Sequence, residues 1–278
     1  MTNNILLISC SDKPGLIFNI TRILYNLGLN IIRNGEFVER KTSHFFMRTV
    51  FSGSFQEEIL LSELKDCLSE NAMVHLSDNR KKKIVVLATR EHHCLSDLLL
   101  RNAFDELHAG ILGVVSNHEV LRPLTEKFEI PFHYLPHEQY SRHDHEAAIR
   151  DIISSYDPDY IVLAKYMRIL SPEFVARFNN KIINIHHSFL PAFIGANPYA
   201  QAYNRGVKII GATAHFVNDL LDEGPIIAQQ VIPVDHTHSA AEMARAGHEV
   251  ERMVLANALS LVFNEQVFVY GNKTIIFD

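Results

Sequence analysis

Lys181-Ile-Ile-Asn-Ile-His-His-Ser-Phe-Leu-Pro191 is the stretch on which the reading of this chain turns. Its first half alternates. Ile183 and Ile185 fall on one side of an extended strand and Asn184 and His186 on the other, because side chains two apart share a face. Such a strand buries its isoleucines and presents an amide and an imidazole at its carboxyl end. With the loop over residues 188–195 after it, it resembles what an open parallel sheet places at a ligand crevice. An isolated Asn-x-His at a strand end usually does no more than bond loop backbone. Further on, Ala214-His-Phe-Val-Asn-Asp-Leu-Leu-Asp-Glu-Gly-Pro225 supplies a carboxylate, Asp222, which alone reads as a turn residue. Taken together, an amide donor, a histidine and a carboxylate are the parts needed to move a small acyl group.

The surroundings extend the strand into a sheet. Strand Ile84–Thr89 leads to a helix over 95–105, and strand Ile111–Ser116 leads to a helix over 119–128. A short strand at 132–135, a helix near 144–155 and strand Tyr160–Ala164 precede the quoted strand. This alternation predicts a doubly wound, mostly parallel sheet. Strands near 209–217 and 226–232 follow. A helix over 239–264 carries a core-facing stripe, Met243 to Leu259, and a hairpin turns around Gly271-Asn272. The front of the chain has another rhythm. A buried strand over 4–10 ends in Ser11-Asp-Lys-Pro-Gly15. A helix carrying Leu16, Ile20, Ile23, Leu24 and Leu27 closes at Gly28. Strands over 30–39 and 44–52 flank a polar turn, Arg40-Lys-Thr-Ser43. A helix from Phe55 to Ser69 and a strand Ala72–Leu76 complete a βαββαβ, ferredoxin-like order. The polar run Ser77-Asp-Asn-Arg-Lys-Lys-Lys83 reads as a solvated linker. The expected fold class is therefore α/β, with domains at 1–80 and 83–278.

Bulk properties exclude several function classes. The 278 residues are 47% hydrophobic and 21% charged, ordinary for a globular protein, and the net charge of −6 argues against nucleic acid as a partner. Cys10, Cys67 and Cys94 are too few and too scattered for a disulfide framework or a zinc spacing, which points to a reducing cytoplasm. No apolar run reaches the ~18–20 residues of a membrane helix, and the N-terminus lacks the flanks of a signal peptide. The pairs His92-His93, His143-x-His145 and His236-x-His238 lack a matched third ligand and read as surface or loop residues, so no metal is expected.

Several separated segments carry a resemblance. Asn184-Ile-His186, Ser188-Phe-Leu-Pro191 and His215-Phe-Val-Asn-Asp-Leu-Leu-Asp222-Glu-Gly-Pro225 resemble the signature of the folate-dependent formyltransferase family. That family includes enzymes acting on glycinamide ribonucleotide and on methionyl-tRNA. The resemblance covers about residues 83–278 and implies that Asn184, His186 and Asp222 carry catalysis. It implies that Ala164-Lys-Tyr-Met-Arg-Ile-Leu170 forms a folate-binding segment, with Met167, Arg168, Ile169 and Leu170 against the pterin. Residues 216–222, Val217 and Asp219 among them, would form the second wall. Folate is then the substrate, and no cofactor is implied. His215 has a core or a supporting role with equal weight.

Three readings of the acceptor remain. A nucleotide acceptor needs a Gly-rich loop that lets backbone amides approach its phosphate. Here strand Ile84–Thr89 runs into Arg90-Glu-His-His-Cys-Leu-Ser-Asp97, with no glycine between Ile84 and Ala109. Glu91 would repel a phosphate, and the basic extension of the tRNA-using relatives is missing. Water is left. Asp12-Lys-Pro-Gly15 in the N-terminal unit resembles an ACT domain, a module that often binds amino acids and pairs with copies of itself. An ACT unit joined to a formyltransferase-like domain carrying His186-His187-Ser-Phe-Leu-Pro and Ile194-Gly-Ala-Asn-Pro198 resembles the formyltetrahydrofolate deformylases. That resemblance implies hydrolysis of 10-formyltetrahydrofolate to formate and tetrahydrofolate, a part in balancing folate pools and supplying formate for purine synthesis, an amino-acid effector and a homo-oligomer. A formyltransferase using an unidentified amine, or an amino-acid-sensing protein with a degenerate catalytic domain, are the alternatives.

Overall fold

The strand bearing Asn184 and His186 lies inside a seven-stranded sheet, in a computed structural model that describes residues 3–78, 80–192 and 198–277. The chain divides into two compact units. The first comprises the residues up to Arg80, joined by Asn264–Gln266 and the segment around Phe277. The second is Lys81–Phe263 with Val267–Ile275. Among the described residues, no helix is long and apolar enough to cross a membrane.

The first unit runs β1 (Asn4–Ser11), α1 (Leu16–Asn26), β2 (Asn30–Glu39), β3 (His44–Ser52), α2 (Glu57–Cys67) and β4 (Met73–Ser77). Its antiparallel sheet has the order β2-β3-β1-β4, the ferredoxin-like arrangement expected for an ACT domain. Leu16, Ile20, Ile23 and Leu24 of α1 and Leu60 and Leu64 of α2 share one core with Leu6, Ile8, Phe45, Met47 and Phe51 of the strands. Gly28, at φ 71°, ends α1. Its N–H reaches the Tyr25 carbonyl and that of Leu29 reaches the Leu24 carbonyl, a Schellman closure. Arg48 is buried on β3 and donates to the carbonyls of Glu265 (2.8 Å) and Asn264 (2.9 Å), which ties that late segment into this unit. The run expected as a linker is shorter than the sequence suggested. Ser77 ends β4, and Lys82 and Lys83 already belong to the next strand, where Lys82 is buried.

The second unit contains β5 (Lys82–Ala88), α3 (His93–Ala103), β6 (Ala109–Ser116), α4 (Arg122–Glu126), β7 (Phe132–Tyr134), α5 (Arg142–Tyr156) and β8 (Tyr160–Ala164). It continues through α6 (Pro172–Arg177), β9 (Ile182–His186), α7 (Pro198–Arg205), β10 (Ile209–Phe216), β11 (Ile226–Pro233), α8 (Ala240–Phe263), β12 (Val267–Tyr270) and β13 (Lys273–Ile276). The helix expected at 119–128 is a 3₁₀ turn, Glu119–Leu121, continued by the short α4. Helices α6 and α7 add to the elements that the periodicity predicts. Ser171 caps α6 through the Phe174 N–H, with Pro172 in the first turn.

The strand order is β11-β10-β9-β8-β5-β6-β7. The pairs from β9 to β7 are parallel, and β10 and β11 are antiparallel. Both faces are covered, which is why the central strands read as unbroken apolar runs. Ile84, Val86, Val162, Ile183 and Ile185 pack with Leu95, Leu98, Val254, Leu255 and Leu259 of α3 and α8. Val85, Leu87, Ile161, Leu163 and Ile182 pack with Ile149 and Ile153 of α5 and with Phe174 and Val175 of α6. Successive strands leave β5 in opposite directions across the sheet, to β6 on one side and β8 on the other. A crevice therefore opens at the carboxyl ends of β5 and β8, beside β9.

Candidate active site

Asn184, His186, Asp222, Met167, Arg168, Ile169, Leu170, Val217 and Asp219 all line one cavity of about 350 Å³ at the carboxyl ends of β8 and β9. The register explains the meeting. Asn184 lies opposite Leu163 on β8 and His215 on β10, and His186 lies opposite Thr213. Thr213 also holds the loop after β9. It accepts from the Leu190 N–H (3.0 Å) and donates to the Ser188 carbonyl (2.9 Å). Residues 193–197, which include most of the Ile194-Gly-Ala-Asn-Pro198 motif, lie outside the described residues.

His215 has a partner inside the site. It is buried, and its Nδ1 lies 2.8 Å from the Phe216 carbonyl. A carbonyl only accepts, so Nδ1 carries the proton, and burial holds the ring neutral by lowering its pKa. Its Nε2 is then an acceptor, 3.2 Å from Asn184 Nδ2. That bond orients the Asn184 amide with one N–H engaged and the other free to donate.

Asp222 comes from the loop between β10 and β11. Its φ of 59° lies in the left-handed region, a cost that surrounding contacts must hold. Gly224 supplies one of them. A Cβ there would sit 1.7 Å from the Phe216 carbonyl oxygen, so only glycine lets the loop close against β10. The β12–β13 hairpin supplies another, with Asn272 donating to the Glu223 carbonyl (2.8 Å) and Thr274 to that of Ile226 (2.6 Å). The loop brings Asp222 Oδ1 to 3.3 Å from His186 Nδ1 and 3.9 Å from His215 Nε2. Burial works to raise the Asp222 pKa, but the His186 hydrogen bond and the neighbouring imidazoles outweigh it and hold the carboxyl below its ordinary value. Asp222 is therefore ionised at neutral pH. His186 Nε2, on the far side of the ring, is buried with no hydrogen-bond partner among the described residues.

The wall at 166–170 is held by backbone contacts. The Met167 N–H donates to Thr89 Oγ1 (3.0 Å), and Arg142 donates to the Ile169 carbonyl (3.0 Å). Glu146 accepts from the backbone and hydroxyl of Ser171. Met167, Ile169, Leu220 and Leu221 are exposed apolar side chains around the cavity, a lining suited to a flat heteroaromatic ring.

Sequence reasoning did not find a buried polar network beside the cavity. Lys165, directly after β8, has φ 60° and is 4% exposed. Its Nζ lies 3.0 Å from His187 Nδ1 and 3.1 Å from Glu251 Oε2. Glu251, on α8, is fully buried, and its carboxylate meets His93 Nε2 (2.8 Å) and the Tyr199 hydroxyl (2.5 Å). Gly247, one turn earlier on α8, makes room for Tyr199, whose hydroxyl would lie 2.1 Å from a Cβ there. His93 and His145 were expected at the surface or in loops. Both are buried, His145 against the Leu135 carbonyl at 3.0 Å. Glu91, His93 and His248, and likewise His93, Cys94 and Glu251, come close enough to suggest ligand sets. The His93 and His248 rings stack at 4.0 Å and 8°, however, so their lone pairs do not converge, and the Lys165 ammonium already meets Glu251.

The network makes stability acid-sensitive. Burial, with Lys165 and His186 nearby, lowers the His187 pKa from 6.5 to about 4. The unfolded chain therefore binds the proton first, and stability falls as pH drops from about 6.5 towards 4. For Glu251, burial opposes ionisation, but His93, Lys165 and Tyr199 prevail and hold its pKa at about 2. Its contribution is full above 4.5 and is lost below that. Thermal melts should show Tm falling steadily between pH 7 and 4.5, with a shallower fall for His187→Gln. A flat profile contradicts the network.

Known proteins match both units. The formyl transferase family matches residues 82–259 and the ACT domain family residues 4–69. The formyltetrahydrofolate deformylase of Escherichia coli O6:H1 is 57% identical over 267 residues, 96% of this chain and 95% of that protein. The deformylase of Haemophilus influenzae is 55% identical over 272 residues, 98% of each chain. The crystal structure of a formyltetrahydrofolate deformylase from Pseudomonas syringae superposes with a TM-score of 0.95 at 37% identity, covering 99% of this chain and 94% of that one. With both units matched along nearly their whole length, the chain belongs to the formyltetrahydrofolate deformylase family.

Proposed function

We propose that this chain hydrolyses 10-formyltetrahydrofolate to formate and tetrahydrofolate in the cavity beside β9, through Asn184, His186 and Asp222. The observation that carries the proposal is the convergence of these three in one cavity, with an Asn184 N–H and His186 Nε2 both left for a ligand. The pterin would lie between residues 166–170 and 217–221, contacting Met167, Arg168, Ile169, Leu170, Val217 and Asp219.

The chemistry follows from the charges. A formyl group on nitrogen is an amide, and attack at its carbon builds negative charge on oxygen. Asn184 Nδ2 donates to that oxygen, and His186 in its imidazolium form donates from Nε2 while Nδ1 faces the Asp222 carboxylate. One such donor is typically worth about 3–4 kcal/mol. Water adds through its oxygen and gives a proton to Asp222. The intermediate then collapses: the C–N bond breaks, the folate nitrogen takes the proton, and formic acid leaves and ionises.

The acceptor side supports water over a phosphorylated amine. Where a nucleotide phosphate would need backbone amides, the loop after β5 brings Glu91, 3.3 Å from His248, with buried Glu251 close by. An amino-acid effector fits the first unit, where Asp12, Lys13 and Gly15 help line a cavity of about 230 Å³, and self-association through the ACT unit belongs to the same proposal. Purified chain given 10-formyltetrahydrofolate and no amine should release formate and tetrahydrofolate one for one. Turnover that appears only when an amine is added would favour the transferase reading.

A further inference from the structure

Lys165 and His187 line the same cavity, yet the Asn184–His186–Asp222 set leaves them without a role. A lysine ammonium only donates, so His187 Nδ1, 3.0 Å from Lys165 Nζ, must be the acceptor. The proton of the neutral ring therefore sits on Nε2, which has no hydrogen-bond partner among the described residues. The His187 ring stacks on His186 at 5.0 Å and 14°. A second imidazolium there would set like charge beside His186, and burial, with the Lys165 ammonium next to it, keeps His187 neutral.

The arrangement is costly to hold. A nearly buried ammonium and a fully buried carboxylate are removed from water, and Lys165 sits in the left-handed region. Buried ion pairs are poor stabilisers, because desolvation offsets much of their attraction. Four elements of the second unit converge to satisfy this one: the end of β8 brings Lys165, α8 brings Glu251, α3 brings His93 and α7 brings Tyr199. Its terminus is one oriented N–H beside His186.

We infer that Glu251, Lys165 and His187 form an array that places the nucleophilic water, with the Nε2–H of His187 as the group that touches it. Glu251 and Lys165 are positioning residues acting through His187. The inference rests on the hydrolytic reading of the cavity given above. His187 donates to one lone pair of the water oxygen. The other lone pair forms the bond to the formyl carbon, and the departing proton goes to Asp222. The array thereby selects water over an amine, which arrives with its own lone pair and has no need of a donor.

The test is the partition of the formyl group between water and a small added amine. Holding 10-formyltetrahydrofolate and hydroxylamine together, the native chain should yield chiefly formate, with formohydroxamate as the minor product. His187→Leu should lower kcat for formate release by about 10–10²-fold, less than the loss of an oxyanion donor because its bond is to water and not to developing charge, with KM for the folate within about threefold. The formohydroxamate share should rise about tenfold. His187→Gln, which keeps an N–H, should restore most of the native ratio. The paired change Lys165→Met with Glu251→Gln, which strands neither buried charge, should reproduce the His187→Leu ratio even if His187→Leu folds poorly. Equal loss of both products in His187→Leu, or a glutamine variant no better than leucine, overturns the inference. Asp222→Asn separates the two levels: it should suppress both products together, and if it releases formate at the native rate, the underlying site reading fails instead.

Discussion

Asp222→Asn should lower kcat by about 10³–10⁴-fold, near the upper end of what a positioned acid–base group contributes, and leave KM for 10-formyltetrahydrofolate within about threefold. The substitution is clean for a structural reason. Position 222 has φ 59°, and asparagine is among the few residues other than glycine that tolerate that region, so the loop keeps its shape. What is lost is the charge. The amide accepts no proton from water and sets no negative charge beside His186, 3.3 Å away. The wall at 166–170 does not depend on it, since Met167 and Ile169 are held from Thr89 and Arg142. Steady-state kinetics with a folate-binding titration gives both quantities. Activity within tenfold of the native chain would remove Asp222 from the mechanism.

Asn184→Ala should cost about 10²–10³-fold in kcat, the usual consequence of deleting one donor to a developing oxyanion. It also strips the His215 Nε2 of its partner at 3.2 Å, leaving a buried acceptor unsatisfied. Asn184→Asp sharpens the prediction. It has the same shape, but a carboxylate would face the developing negative charge, so its kcat should fall below that of the alanine variant. If Asp were the more active of the two, the Asn184 amide would not be donating to the formyl oxygen.

Much of this was legible in the sequence, and the exceptions have physical reasons. The alternation around Asn184 and His186 gave the face of β9, and the strand–helix rhythm gave the sheet, because both are local periodicities. Helices α6 and α7 carry no clear signal in the sequence, since six to eight residues show little periodicity. The capture of Asn264 and Glu265 by Arg48 links residues more than 200 apart and has no local signature. The left-handed backbone at Lys165 was equally hidden, since lysine seldom adopts it. One signal was present and passed over. Glu251 falls on the buried stripe of α8 between Val250 and Val254, where a carboxylate must be paired. Lysine directly after the apolar run of β8 was its natural partner, but only the fold brings the two together.

The most direct measurement follows the oxygen. Turnover of 10-formyltetrahydrofolate in water enriched with oxygen-18, with no amine present, should give formate carrying one heavy oxygen per molecule and tetrahydrofolate carrying none. Formate released without the label would mean that solvent water is not the nucleophile, and would contradict the account of how Asn184, His186 and Asp222 work.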